Sequence, residues 1–267
     1  GFYDRVFDPA RPSLLVQGIG DALAHKHIQI WLDEPSTQRF VEHMNWDGSI
    51  PRSKNADYLS VVQQNVGGNK LDYHADQVTD VTITPDGDDV SVSTEVEITN
   101  NVFLPLPQWP LGNSGPFHRP MVNVYVPGQA ALESWDVRPE GDRIDSPPPA
   151  AWVDGRPPEH TERGKKVWSA TLGNPAIDEP GISPGKAGAV RFDYRVPGVI
   201  RTVGRRTVYR LVVQYQPKPR PETLRIRFAL PKGAQTVIAP GFKREGDVLT
   251  YERRLDGDIA LEVSWRA

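Results

Sequence analysis

The chain has 267 residues, of which 24% are charged, a formal net charge of -3 and no cysteine. Disulfides, thiolate metal sites and a cysteine nucleophile are therefore excluded, and neither a generally basic nucleic-acid-binding protein nor an acidic solvating tail is indicated. The 26 prolines and 23 glycines follow no repeating period, which argues for many turns and extended loops, and so for β structure, rather than long helices. The length suits two domains, or one domain with a large appendage, each burying its own core. No run approaches the roughly 18 apolar residues of a membrane span, and Gly1 to Val6 has neither the basic start nor the apolar core of a signal peptide. Because the chain begins with Gly1, it is expected to be a processed or excised piece of a longer protein, with any anchor or export signal outside it.

In chain order, Leu14, Leu15, Gly18, Ile19, Ala22 and Leu23 fall on one face and predict a helix near 12–25, with Ser13 available as a cap. His27 to Leu32 alternates Ile28, Ile30 and Leu32 with polar or aromatic neighbours, the pattern of a strand with one buried face. Pro35 then suits a first helical turn, with Phe40, Val41 and Met44 on one side of the helix that follows. Tyr58 to Gln64 reads as a further strand that ends at Gly67-Gly68.

From Gln77 the pattern becomes that of a sandwich. Val81 and Ile83, a turn at Pro85 to Asp88, and Val90, Val92, Val96 and Ile98 predict a hairpin with one buried and one charged face. Phe103 to Pro120 holds five prolines and reads as a long connection. Arg138 to His160, with Pro147-Pro148-Pro149 and Trp152, reads as a mobile loop or disordered insert. Further strands are predicted at 121–126, 167–172, 189–196, 207–215, 224–230 and 259–265. VNVYVPGQA at 122–130 echoes IRFALPKGA at 226–234, which leaves one or two related sandwich units open.

Several stretches resemble, in order, the later half of a bacterial domain-of-unknown-function family, the one numbered 4012. They are HIQIWLDEPSTQRF, WDGSI, VVQQNVGGNKLDYHADQ, a hairpin ending in ITNNV, VNVYVPGQA, SPGKAGAVRFDYRVP and YRLVVQYQPKPRPETLRIRFALPKGA. Gln64-Asn65 with Asn69-Lys70-Leu71-Asp72-Tyr73, and Gln216-Pro217, are its most specific elements. The resemblance covers nearly the whole chain and implies a cell-surface or secreted protein, mostly of Actinobacteria, with an N-terminal membrane anchor that lies outside this chain. It also implies a setting of surface polysaccharide assembly, and it supplies no activity.

The stretch from Leu59 to Ala75 is the densest in chemistry. Gly67 and Gly68 permit positive φ, and Asn65 and Asn69 tolerate it while bonding backbone groups. One reading is a self-satisfied loop in which Lys70 pairs with Asp72 or another carboxylate. The other is a ligand site in which Asn65, Asn69, Lys70, Asp72 and Tyr73, beside His74, hold a sugar or a polymer phosphate through amides and a point charge. An Asn-to-Lys isopeptide is a further reading, and it requires a mass loss of one ammonia.

His25 and His27 are spaced to share a strand face, yet no third metal ligand accompanies them, and solvent-facing residues explain them as well. Asp33-Glu34 and Asp88-Asp89 suit turns and helix-dipole compensation. Arg191, Arg195, Arg201, Arg205, Arg206 and Arg210, with Lys218 and Arg220, form a basic run that either attracts an anionic polymer or lines solvated strand faces. Trp109, Trp135 and Trp152 either stack on sugars or cover a sandwich end. No nucleophile elbow, Walker loop, dinucleotide fingerprint or zinc-protease motif is present.

The expectation is thus a mainly β protein, an antiparallel Ig-like β-sandwich of one or two units preceded by a small α/β portion. The α/β portion is expected over 1–76, as the end of a larger N-terminal domain, and a sandwich unit over 77–200. A second β unit, or completion of the sandwich, is expected over 201–267. The expected role is an extracellular or cell-surface envelope module that scaffolds or binds, in contact with glycan or anionic polymer, without nucleic acid, cofactor or metal. The alternative is an enzyme acting on surface polysaccharide, with Asp72 or Asp76 at a site where the α/β portion meets the sandwich.

Overall fold

The structure is a computed structural model that describes residues 12–51, 56–103, 105–106, 108–112, 115–138, 156–173 and 181–266. The chain divides into two compact units, Gly1–Pro51 and Arg52–Ala267.

In the first unit, helix α1 (Pro12–Ala24) forms where the apolar spacing predicts it. Lys26 takes a left-handed φ of 58°, and His27 N–H and Ile28 N–H then donate to Ala22 O at 2.8 and 3.1 Å, closing the helix end. This closure overturns the strand expected at His27–Leu32. The backbone there is consumed by the α1 end, by Ile30 N–H donating to Trp46 O (2.9 Å) and by Leu32 N–H donating to Gln38 Oε1 (2.9 Å). Alternation makes a strand only where another strand stands alongside to pair with it. Helix α2 (Pro35–His43) follows, with Pro35 in its first turn and Glu34 as its cap. The Glu34 carboxylate accepts from Ser36 N–H (3.1 Å), Thr37 N–H (2.7 Å) and Thr37 Oγ1 (2.7 Å). The described part of this unit is helical rather than α/β.

The second unit is a β-sandwich. Its strands are β1 (Asp57–Asn65), β2 (Ala75–Asp86), β3 (Asp89–Asn100), β4 (Pro120–Pro127), β5 (Ala131–Arg138), β6 (Glu159–Glu162), β7 (Lys165–Thr171) and β8 (Ala187–Val196). They continue with β9 (Ile200–Val203), β10 (Arg206–Gln214), β11 (Thr223–Ala229), β12 (Gln235–Ile238), β13 (Lys243–Glu245), β14 (Val248–Arg254) and β15 (Ile259–Arg266). One sheet runs β12-β15-β10-β1-β4-β7-β6, with β9 on β10, and the other runs β13-β14-β11-β2-β3-β8-β5.

The expected hairpin is β2–β3, paired from Ala75↔Asn100 to Asp86↔Asp89, and its Val81, Ile83, Val90, Val92, Val96 and Ile98 are all buried. The two sheets meet through aromatic contacts. Trp168 of β7 packs on Phe192 and Tyr194 of β8 at 6.1 and 5.2 Å between centroids. Phe228 of β11 packs between Tyr209 of β10 (5.4 Å) and Trp265 of β15 (5.9 Å). A single apolar core therefore fills the space between the sheets.

One boundary changes and one open alternative is decided. β1 lies in the middle of the first sheet, between β4 and β10, so the sandwich begins near 57 and not at 77. The part from 201 onward places β10, β12 and β15 in one sheet and β11, β13 and β14 in the other, so it completes the same sandwich. The echoed segments are accordingly strands of one unit, β4 in the first sheet and β11 in the second.

The sheets are not wholly antiparallel. β1 runs parallel to β10, and β2 runs parallel to β11. Chain segments β1→β2 and β10→β11 thus leave neighbouring strands at one end of the sandwich and enter neighbouring strands of the opposite sheet. The two connections, 66–74 and 215–222, must run side by side, and this topology builds the candidate site.

Candidate functional site

A cavity of about 300 Å3 opens between those two connections. The first and the strand ends that flank it contribute Gln63, Asn65, Asn69, Lys70, Asp72, Tyr73 and Ala75, and the second contributes 216–220. All five residues singled out from the sequence, Asn65, Asn69, Lys70, Asp72 and Tyr73, are brought together here.

The first connection is held by its amides. Asn65 Nδ2 lies within hydrogen-bond reach of Asn69 O (3.0 Å), Asn69 Oδ1 (2.8 Å) and Asp72 Oδ2 (3.1 Å), while Asn65 Oδ1 accepts from Gly67 N–H (3.0 Å). Asn69 Nδ2 donates to Phe117 O (2.8 Å), and Lys70 N–H donates to Pro110 O (2.8 Å). Pro110 belongs to helix α3 (Gln108–Leu111), and the backbone of Gly112 just after it comes close to this turn. Gly112 has φ +55°, and a Cβ there would stand 2.6 Å from Gly68 O. Asn65 and Asn69 therefore shape the wall. Of the lining residues on this connection, Lys70 is exposed and makes no ion pair among the described residues, and Tyr73 is 64% exposed.

The second connection is kept extended by Pro217, Pro219 and Pro221, whose rings fix φ and remove backbone donors. Gln216 clamps it to β1. Arg220 pairs with Asp76 at 2.8 Å, and Asp76 also accepts from Asn101 Nδ2 at 2.7 Å. Lys218 Nζ donates to Gln77 Oε1 (2.6 Å) and lies 3.7 Å from Glu222 Oε2. Glu222 in turn accepts from Gln77 Nε2 and from Thr79 Oγ1 (3.0 Å). Behind the cavity, buried His118 meets Gln63 Nε2 through its Nε2 at 2.8 Å. Burial holds its imidazole pKa down at about 4, against the pull of the Asp72 charge, so the ring is neutral at neutral pH.

Reading the sequence alone missed Gln63 and the whole 216–220 wall as site residues. The signal was the prolines at every second position between two strands, which marks a stiff crossover. The other candidates disperse. His25 bonds Asp21 O through Nδ1 (2.7 Å) and stacks on His27, and no cluster of His, Asp or Glu suited to a metal occurs among the described residues. The arginine run is split between the sheets. Arg195 pairs with Asp86 (2.8 Å) and Asp89 (2.9 Å) on one, while Arg210 pairs with Glu262 (2.6 Å) on the other. Trp135 packs against the core, and the expected mobile loop, with Trp152, falls largely outside the described residues.

No family model matches this chain, and no curated protein matches it. Among solved structures, it is similar to a native leukotriene A4 hydrolase from yeast, at 7% identity and a TM-score of 0.37, over 72% of this chain and 29% of that one. A second structure of that hydrolase, from Saccharomyces cerevisiae, gives 7% and 0.34 over 76% and 30%. An aminopeptidase A of Legionella pneumophila, in complex with aspartic acid, gives 8% and 0.35 over 76% and 22%. The chain spans less than a third of the length of each.

Proposed function

We propose that this chain is a binding or scaffolding module of a bacterial cell envelope, of the domain-of-unknown-function kind it resembles, and that its cavity takes a saccharide unit bearing an anionic group. The observation that carries the proposal is the composition of the cavity wall. An exposed Tyr73 ring and the cations Lys70, Lys218 and Arg220 line it, with Asp72 the single lining carboxylate among the described residues. A ring offers a flat apolar face to a sugar, and a mobile ammonium suits a carboxylate or phosphate. At about 300 Å3 the space is at the small end of ligand sites.

The enzyme alternative has less support. Hydrolysis of a glycosidic bond ordinarily uses two facing carboxyl groups. Asp76 is outside the cavity lining and is engaged by Arg220 and Asn101. The experiment is a binding and turnover screen against acidic and neutral envelope oligosaccharides. Binding that is lost in Lys70→Ala and Tyr73→Ala, with no product formed, supports the proposal. Product that disappears in Asp72→Ala overturns it in favour of an enzyme.

A further inference from the structure

Lys218, which lines the cavity, meets Gln77 and Glu222 behind the lining in an arrangement that the ligand reading does not use. Gln77 and Glu222 are only 4% and 2% exposed, and the Lys218 side chain only 12%. The ammonium is 2.6 Å from the Gln77 carboxamide oxygen. Glu222 Oε2 bonds the amide nitrogen of the same carboxamide and lies 3.7 Å from Lys218 Nζ. An amine, a carboxamide and a proton carrier are thus held together, shielded from water.

We propose that this trio is a modification site, at which Lys218 and Gln77 join in an intramolecular isopeptide bond with Glu222 as the proton carrier. Glu222 takes one proton from the Lys218 ammonium and frees the Nζ lone pair. Nζ attacks Cδ of Gln77, the Cδ–Nε2 bond breaks, and the second Nζ proton leaves with Nε2 as ammonia. Glu222 returns its proton to the departing ammonia, which exits as ammonium through the adjoining cavity. The site ends as a neutral secondary amide beside a carboxylate, and no oxidant or cofactor is consumed.

The electrostatics favour the first step. Burial lowers the Lys218 pKa and raises that of Glu222, although the charge of each opposes the shift of the other. Both shifts move the pair toward neutral amine and neutral acid, the forms the attack requires. The bond would tie β2 to the β10–β11 connection, and the proposal is independent of what the cavity binds. It also moves the isopeptide chemistry considered for the Asn65–Lys70 stretch, where both amides are already engaged and Lys70 is exposed, to a buried site.

The test is the intact mass of the full chain, measured unfolded, followed by peptide mapping. The expected mass is one ammonia below that of the sequence, with a single joined peptide carrying Gln77 and Lys218. Lys218→Arg and Glu222→Gln are expected to restore the full mass. A wild-type chain at full mass, an ammonia loss that maps elsewhere, or a loss that persists in Lys218→Arg overturns the proposal. The wild-type mass alone decides where a variant fails to fold.

Discussion

Gln63 and Gln216 exchange backbone and side chain. Gln63 N–H donates to Gln216 Oε1 at 2.8 Å, and Gln216 Nε2 donates to Gln63 O at 2.9 Å. One carboxamide thereby takes the place of a strand residue and prolongs the parallel β1–β10 pairing, whose backbone register ends at Ser60↔Gln214. Gln216→Ala removes the side-chain partners of the half-buried Gln63 N–H and C=O, and a loss of about 1–3 kcal/mol is expected on chemical denaturation. Ligand binding in the cavity is expected to fall with it, because the second wall loses its attachment to the first.

Gly112→Ala tests the other side of that wall. The added Cβ meets Gly68 O in a backbone conformation that already disfavours a side chain, so α3 must shift away from the 66–70 turn. Weakened protection of the Lys70 amide in hydrogen exchange is expected, since its acceptor Pro110 O moves too. Unchanged protection would mean that the turn holds its shape without α3.

At the opposite end of β1, Asp57 is buried and accepts from Tyr209 Oη (2.6 Å) and Tyr58 N–H (2.7 Å). Burial raises its carboxyl to about 6, against those two hydrogen bonds and the nearby Lys165. A raised acid means that the folded chain holds a proton the unfolded chain has already released. The Asp57 contribution to stability is therefore expected to fall as pH rises from about 4 to about 6. Comparing the midpoints of Asp57→Asn and wild type across that window reads the effect, and parallel curves would contradict it.

Glu34 works in the opposite sense. Hydrogen bonds from Ser36 and Thr37 hold its carboxyl at about 2. Its stabilisation of α2 is present above the ordinary carboxyl range and is lost as pH falls through about 2. Glu34→Ala is expected to speed amide exchange at Ser36 and Thr37 at neutral pH, with the sandwich amides unaffected.

Phe228 joins the sheets through Tyr209 and Trp265, and it is fully buried. Phe228→Ala leaves a void that neither ring can fill alone, and a loss of about 3–5 kcal/mol is expected. Thermal or denaturant unfolding of the variant measures it.

The strands of the sandwich were legible because its sheets bury one face each. Val81, Ile83, Val90 and Val92, or Leu224, Ile226 and Phe228 against Arg225 and Arg227, state their inner and outer sides residue by residue. The same rule failed at His27–Leu32, where alternation is present but the backbone is spent on closing α1. The chemistry of the site was half legible. Gly-Gly flanked by Asn, with Lys70, Asp72 and Tyr73, marked one wall, but Gln216-Pro217 was read only as part of the family resemblance, and Lys218 and Arg220 only as part of a basic run.

The sequence by itself determined the β character, the β2–β3 turn and the concentration of polar chemistry between Leu59 and Ala75, because period-two burial and turn residues are local properties. Only the tertiary structure decided that β1 belongs to the sandwich, that the last third completes it, and that the site has a second wall. Those facts rest on β1 pairing with β10 and β2 with β11, contacts between segments far apart in the chain. Parallel pairing leaves no turn signal between the partners, since the chain must cross to the other sheet and return before the second strand arrives.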